Sequence, residues 1–373
     1  MLKEISIYIH IPFCQSKCPY CHFTSIYNHN HLIIDYLNAL RKEMEFYNNY
    51  LNFRASTLYI GGGTPSILDI HQLKILFNII SKYIDLKNDV EITFEANPKT
   101  LNLRKLLFLK KAGVNRLSIG AQSFDNKELK LIGRVHSSQD INNTYKKARK
   151  AGFNNINLDL IFAIPNQTPN NFIINLNQLI NLGPEHISLY NLTIDEGSKW
   201  HKNNDITLPD NDTDFKIYQR SINFLKARKY IHYEISNFAK KGYKCKHNTT
   251  YWQNNEFIGM GLSAHSFLLK KRYSQTDNLI SYLNNPIPKE IINNIEALPH
   301  NNIIQDSMFL NLRLLKGLDI NHFKNLYHNS PDYYFGGEIK ELKMLKLIKE
   351  HGNHIKLTRR GLYLANEVFE KFI

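Results

Sequence analysis

The stretch Ile5–Phe23, ISIYIHIPFCQSKCPYCHF, carries two signals in nineteen consecutive residues. Its first half alternates, with Ile5, Ile7, Ile9 and Ile11 on one side, and this period of two predicts a strand over Ile5–Ile11. The opening residues therefore read as a strand and not as a signal peptide. Pro12 ends the run, and Cys14, Cys18 and Cys21 follow at once in the spacing Cys-x3-Cys-x2-Cys. A cluster of thiols just past the end of a strand is the feature from which the rest of the chain is read.

Further β-rich runs recur at Thr57–Ile60, Glu91–Ala96, Arg116–Gly120, Ile156–Phe162 and His186–Leu192. Amphipathic stretches near 32–50, 67–83, 99–112, 138–151 and 169–182 lie between them, and Gly113, Gly152 and Gly183 mark helix ends. Six strand–helix repeats predict an α/β fold: a parallel sheet, open or curled toward a barrel, with helices outside. In such folds chemistry gathers at the carboxyl ends of the strands. Those ends read Pro12–Cys21, Gly61–Pro65, Glu95–Asn97, Gln122 with Ser123, Asp159, and Tyr190 with Asn191, so the polar and Gly-rich clusters share one edge.

Beyond residue 200 the rhythm changes. A helix is expected near 211–228, a strand at Tyr230–Ile235, and an irregular stretch at Cys245–His265. From Asn301 the order helix, helix, short hairpin, helix predicts a small winged-helix-like domain that caps the barrel rather than binding DNA. The domain expectation is 1–235 for the barrel, 236–300 for a connecting region and 301–373 for the C-terminal unit.

Hydrophobic residues make up 43% and charged residues 21% of the chain, as in ordinary globular proteins. The formal charge of +14 comes from basic residues spread along the whole length, which reads as a solvated surface; no nucleic-acid partner is expected. No stretch of about 18 apolar, uncharged residues occurs, so no transmembrane helix is expected and membrane contact would be transient and superficial. Four cysteines, three of them within positions 14–21, do not form a secreted disulfide framework, and a reducing cytoplasm fits them better.

Three thiolates within eight residues suit an iron–sulfur cubane with three protein-ligated corners and one open iron. The competing chemistry is zinc in an interaction protein, with His22 or the distant Cys245 as fourth ligand. Adjacent Cys21 and His22 make joint tetrahedral ligation awkward, and structural zinc sites pair two short knuckles where this sequence has one. The run Gly61-Gly62-Gly63-Thr64-Pro65 lacks the signatures of phosphate and dinucleotide loops, and suits close backbone approach to a small ligand.

The cysteine spacing after a first strand, with an aromatic before the third Cys, resembles the radical S-adenosylmethionine (SAM) superfamily. HIPFC, GGGTPS, FEANP, GAQSF, GRVH and LDLIFAIPNQT are similar to one narrower group, the oxygen-independent coproporphyrinogen III oxidase family, which includes HemW-type heme chaperones. The similarity runs from Tyr8 to the C-terminal helix and implies a partial (β/α)6 TIM-like barrel of radical SAM type with a smaller, α-rich C-terminal domain. It implies a [4Fe–4S] cluster on Cys14, Cys18 and Cys21, and SAM chelating the open iron. Tyr8 and Tyr20 take cofactor-contact positions, and Gly62, Gly63, Thr64 and Glu95 line the methionine and ribose region. Gln122, Arg134 and Asp159 match residues that contact a second SAM in the oxidase.

Three departures separate the chain from the oxidases. Phe23 stands where they carry a further Cys, and Tyr8 sits seven residues from the start where they have a longer N-terminal extension. The third is His247-Asn248-Thr249-Thr250-Tyr251-Trp252, which resembles the HNxxYW motif of the chaperones and implies His247 as a heme ligand, with Cys245 as a second candidate. The implied function is heme binding and transfer to an acceptor protein. Oxidative decarboxylation of coproporphyrinogen III and the zinc-bound interaction protein are the alternatives.

Overall fold

A computed structural model describes residues 3–202, 206–288 and 300–373. Six parallel strands follow one another in chain order: β1 (Lys3–Ile11), β2 (Phe53–Gly62), β3 (Leu86–Ala96), β4 (Arg116–Gln122), β5 (Ile156–Phe162) and β6 (His186–Asn191). Helices α1 (Ile33–Tyr50), α2 (Ile70–Tyr83), α3 (Leu103–Lys111), α4 (Asn126–Leu131), α5 (Ser138–Lys150) and α6 (Pro169–Leu182) lie between the strands. The strand order does not close β6 on β1, so the sheet is a partial barrel. Ile7, Ile9 and Ile11 are fully buried, and Ser6 and His10 on the opposite face are buried too, as expected for a parallel strand covered on both sides.

Local chemistry explains the helix limits. Asp69 with Gln72, and Ser137 with Asp140, form reciprocal capping boxes at the starts of α2 and α5. Thr168 caps α6 ahead of Pro169, and Gly183 ends it in the left-handed region at φ 74°. Register aligns the strand ends: His10 pairs with Gly61, Glu95 with Ser118, and Asp159 with Ser188. The carboxyl-terminal edge therefore brings four loops and their polar side chains together.

Both flanks of the sheet are extended. Helix α7 (Asn211–Ala227) leads to antiparallel β7 (Ile231–His232) and β8 (Asn237–Ala239) beside β6. The expected strand Tyr230–Ile235 thus shrinks to two residues, because the chain turns there and pairs back onto β8. The stretch expected to be irregular, Cys245–His265, instead forms helix α8 (Lys246–Trp252) and β9 (Phe257–Met260). Strand β9 lies parallel to β1, with β10 (His265–Leu268) and β11 (Lys271–Ser274) beyond it.

A second apolar cluster gathers Met308, Leu312, Ile339, Leu342, Ile355, Val368 and Phe372. They come from helices His300–Leu312, Ile320–Tyr327 and Pro331–Met344, a three-stranded sheet (β12 Leu318–Asp319, β13 Ile348–His351, β14 His354–Leu357) and two short terminal helices. Part of the stretch expected to connect the units, 289–299, lies outside the described residues. No helix among the described residues is long and apolar enough to cross a membrane.

Candidate functional site

A loop of fifteen residues, 12–26, leaves β1 and returns beside its own start. Cys14 N–H donates to Ile26 O at 2.8 Å, Ile26 N–H donates to Pro12 O at 2.8 Å, and Cys21 N–H donates to Cys18 O at 3.1 Å. The glycine run after β2 lies alongside, with Gly63 N–H donating to Ile11 O and Thr64 N–H to Phe13 O, both at 2.9 Å. A Cβ on Gly63 would stand 2.6 Å from Pro12 O and 2.9 Å from Cys14 Sγ, so only glycine allows this approach.

All three clustered cysteines line one cavity of about 420 Å³ at the carboxyl end of the barrel. Its wall also carries Tyr20, Gly62, Gly63, Thr64, Glu95, Gln122, Arg134 and Asp159, so eleven of the thirteen expected site residues meet there. The size falls within the range of small-molecule and cofactor pockets.

The donors suit a cluster. Burial pushes the Cys14 and Cys21 thiols up, with the neighbouring thiols adding to it, so iron ligation would have to displace their protons. The Thr64 hydroxyl lies 3.5 Å from Cys14 Sγ, and Arg134 Nη1 donates to Cys18 Sγ at 3.5 Å, offering charge to a thiolate centre. Arg134 is fixed by Asn97 Oδ1 and by Gly120 O. A zinc ion with Zn–S near 2.3 Å requires thiolates roughly 3.8 Å apart. Among the described residues no three Cys, His, Asp or Glu side chains converge as a single-ion site. Three thiols share this one cavity, as three-point ligation of a multi-atom cluster requires.

Acceptors line the inner wall. Glu95 takes the Tyr59 hydroxyl at 2.7 Å on Oε1 and the Gly62 N–H at 3.1 Å on Oε2. Burial, together with repulsion from Asp159, raises its carboxyl to about 7. Asp159, also raised by burial, accepts from Asn157 at 2.7 Å and from Ser118 at 3.5 Å. Gln122 is held at φ 68°, and its Oε1 is buried with no partner among the described residues. An unfilled acceptor in a cavity wall suits a ligand that brings its own donors.

Tyr8 does not line the cavity. Its hydroxyl bonds His10 Nδ1 at 2.9 Å, and His10 Nε2 reaches Thr24 O at 3.0 Å, so the pair braces the loop from one layer behind. Gly62, at φ 112°, leaves room for the His10 ring that a Cβ would meet at 2.7 Å.

The structure places His247, the expected heme ligand, away from the cavity wall. His247 is 1% exposed, and both ring nitrogens are engaged, Nδ1 with Thr57 Oγ1 and Nε2 with Tyr251 Oη, each at 2.7 Å. The ring stacks on Tyr59 at 5.0 Å, and burial with nearby Arg116 lowers it to about 3, so it stays neutral. Its helix, α8, plugs the amino-terminal end of the barrel, with Glu91 accepting from the backbone N–H groups of Lys246 and His247 at 3.1 Å. Cys245 is fully buried there, and its Sγ accepts from Asn248 N–H at 3.5 Å as the helix cap. Tyr59 lies between this floor and the cavity, stacked on His247 and donating its hydroxyl to Glu95 in the cavity wall.

Sequence reading missed His10, Tyr59 and Asp195. His10 shares the period-two face of Tyr8, which is the signal for it. Tyr59 sits on the β2 face of Thr57 and Gly61. Asp195 carries no signal, because only the folded loop brings it to His22.

The chain matches the radical SAM superfamily over residues 8–178 and the HemN C-terminal domain over 298–364. It is 35% identical to the heme chaperone HemW of Lactococcus lactis over 100% of this chain and 98% of that protein. It is also 35% identical to the heme chaperone HemW of Bacillus subtilis, over 99% of each. In shape it superposes on coproporphyrinogen III oxidase (HemN) from Escherichia coli, described as a radical SAM enzyme, with TM-score 0.85 and 25% identity over 100% of this chain and 90% of that one. Full-length likeness at this level, on a partial barrel with its thiols at the expected edge, means that the chain belongs to the HemW family of the radical SAM superfamily.

Proposed function

We propose that the protein is a heme chaperone: it binds heme and passes it to an acceptor protein, using a radical SAM scaffold. Membership of the superfamily implies a [4Fe–4S] cluster and SAM. In our reading Cys14, Cys18 and Cys21 hold the cluster. Gly62, Gly63, Thr64 and Glu95 receive SAM, with Tyr20, Gln122, Arg134 and Asp159 completing the wall and Tyr8 acting from behind His10. When bound, the cluster would supply an open iron for the amino and carboxylate groups of SAM. The chain's own part is to hold three thiolates, present paired acceptors at Glu95 and Asp159, and set Arg134 against the sulfur. The barrel, 1–235, would carry this site, with 236–300 joining it to the unit 301–373. We read the location as cytoplasmic, because three cysteines clustered within positions 14–21 do not make a secreted disulfide framework.

One observation carries the reading: end-to-end similarity to two heme chaperones, in a chain with Phe23 where the oxidase has a further Cys. The test is anaerobic titration of ferric heme into the cluster-loaded protein, followed by mixing with an apo-hemoprotein. Saturable Soret absorbance that moves to the acceptor is expected. No heme binding, together with formation of vinyl product from coproporphyrinogen III, would replace this reading with the oxidase one.

A further inference from the structure

His22 follows Cys21 directly and stands in the wall of the same cavity. Its Nδ1 lies 2.7 Å from Asp195 Oδ2. Among the described residues that contact engages only Nδ1, and the His22 side chain is 48% exposed. The cavity's other histidine, His136, is buried with Nε2 on Ala121 O. An imidazole fixed at one nitrogen by a carboxylate, with the other nitrogen available in a cavity, is the arrangement that metal-ligating histidines adopt.

Asp195 is not a loose partner. Thr193 Oγ1 bonds its carboxylate at 3.2 Å, and Ser198 N–H donates to its backbone carbonyl at 3.2 Å. The same segment is tied to the cysteine loop by Trp200 N–H donating to Pro19 O at 3.0 Å and by Tyr20 packing on Trp200. The dyad thus bridges two loops that are joined by independent contacts.

Beside it an apolar side chain is open: Phe23 lies 4.6 Å from the His22 ring and is 60% exposed, and Val135 of the same cavity lining is 47% exposed. Lys17 and Lys99 stand in the same wall. A cluster and SAM would take up the inner part of this cavity of about 420 Å³, and its exposed mouth, where His22 and Phe23 stand, is the place for a further, larger ligand. Exposed aromatic surface, two ammonium groups and one available imidazole complement a flat, iron-bearing ring with two carboxylates.

We propose that His22 Nε2 ligates heme iron at the cavity mouth, with Asp195 orienting the ring and Phe23 packing on the porphyrin face. The assignment rests on the heme-chaperone reading above. It places heme beside the cluster and not at His247.

The test is anaerobic titration of ferric heme into the cluster-loaded full chain, read as Soret difference absorbance against heme-free protein, for wild type, His22→Ala and Asp195→Asn. Wild type is expected to give the band of an imidazole-ligated iron. His22→Ala should lose that band while keeping wild-type iron and sulfide, and added free imidazole should restore it. Asp195→Asn should weaken heme binding about tenfold or more. An unchanged band and affinity in cluster-loaded His22→Ala overturns the assignment and leaves heme binding standing. If His22→Ala fails to hold its cluster, Asp195→Asn decides: wild-type affinity overturns the proposal, and the expected weakening supports it. No heme binding by wild type sinks the chaperone reading and this site together.

Discussion

The two ends of the barrel use the same residue types for opposite purposes. At the carboxyl end, thiols, an imidazole and carboxylates face a cavity, and Gln122 Oε1 is left without a partner. At the amino end Cys245, His247 and Glu91 are buried, and with half-buried Tyr251 they are hydrogen-bonded to one another or to Thr57 and the backbone of α8. Polar groups that are satisfied inside a protein stabilise it, whereas the thiols and imidazole of a cavity wall are available to a ligand. A motif match alone does not separate these cases. The partner of each nitrogen and sulfur does.

The largest effect should come from breaking the floor. His247→Ala removes a fully packed ring and strands the Thr57 and Tyr251 hydroxyls. Denaturant unfolding should show a loss of about 3–5 kcal/mol. If His247 were mainly an exposed ligand, the loss would be near zero and heme affinity would collapse instead.

At the other end, Glu95→Gln keeps the shape of the wall and removes its charge. SAM affinity, measured by calorimetry on the cluster-loaded protein, should fall by about 10- to 100-fold, the equivalent of one charge-assisted hydrogen bond. Wild-type affinity should also weaken as pH drops through about 7, since burial lifts the Glu95 carboxyl to that value and the anion is the stronger acceptor for the ligand's N–H and hydroxyl donors. The Gln variant should show a flatter profile, which separates Glu95 from titration of the ligand itself.

The floor has its own pH signature. Burial, with Arg116 nearby, lowers His247 to about 3 in the folded protein, below the ordinary 6.5, so the unfolded chain binds the extra proton. Its contribution to stability is present above pH 6.5 and is lost as pH falls from there toward about 3. Between pH 7 and 5 the stability of wild type relative to His247→Gln should fall by about 2 kcal/mol. A constant difference across that range would mean that the ring is not buried neutral. Smallest of all, Cys245→Ala should cost about 1 kcal/mol, the worth of a helix cap, with no change in bound iron.

Most of the scaffold was legible from pattern. The alternation of Ile5–Ile11 and the run Ile156–Phe162 are long, strongly patterned strands, and observed β1 and β5 follow them closely. Helix α8 was missed because KHNTTYW is too short and too poor in helix formers to show a period; Cys245 and Glu91 cap it only once β3 is in place. The cavity wall was readable because strand ends in parallel sheets converge. Burial was not, since nothing local in the sequence separates His247, sealed under Tyr59, from His22, exposed beside Phe23.

Metal content tests the contrast between the two ends most directly. Iron and acid-labile sulfide should be measured after anaerobic reconstitution of wild type, the triple variant Cys14→Ala/Cys18→Ala/Cys21→Ala, and Cys245→Ala. Wild type and Cys245→Ala should each carry about four iron and four sulfide per chain, and the triple variant essentially none. Zinc without sulfide in wild type, iron retained by the triple variant, or iron lost from Cys245→Ala would contradict the assignment of the cluster to the cavity end.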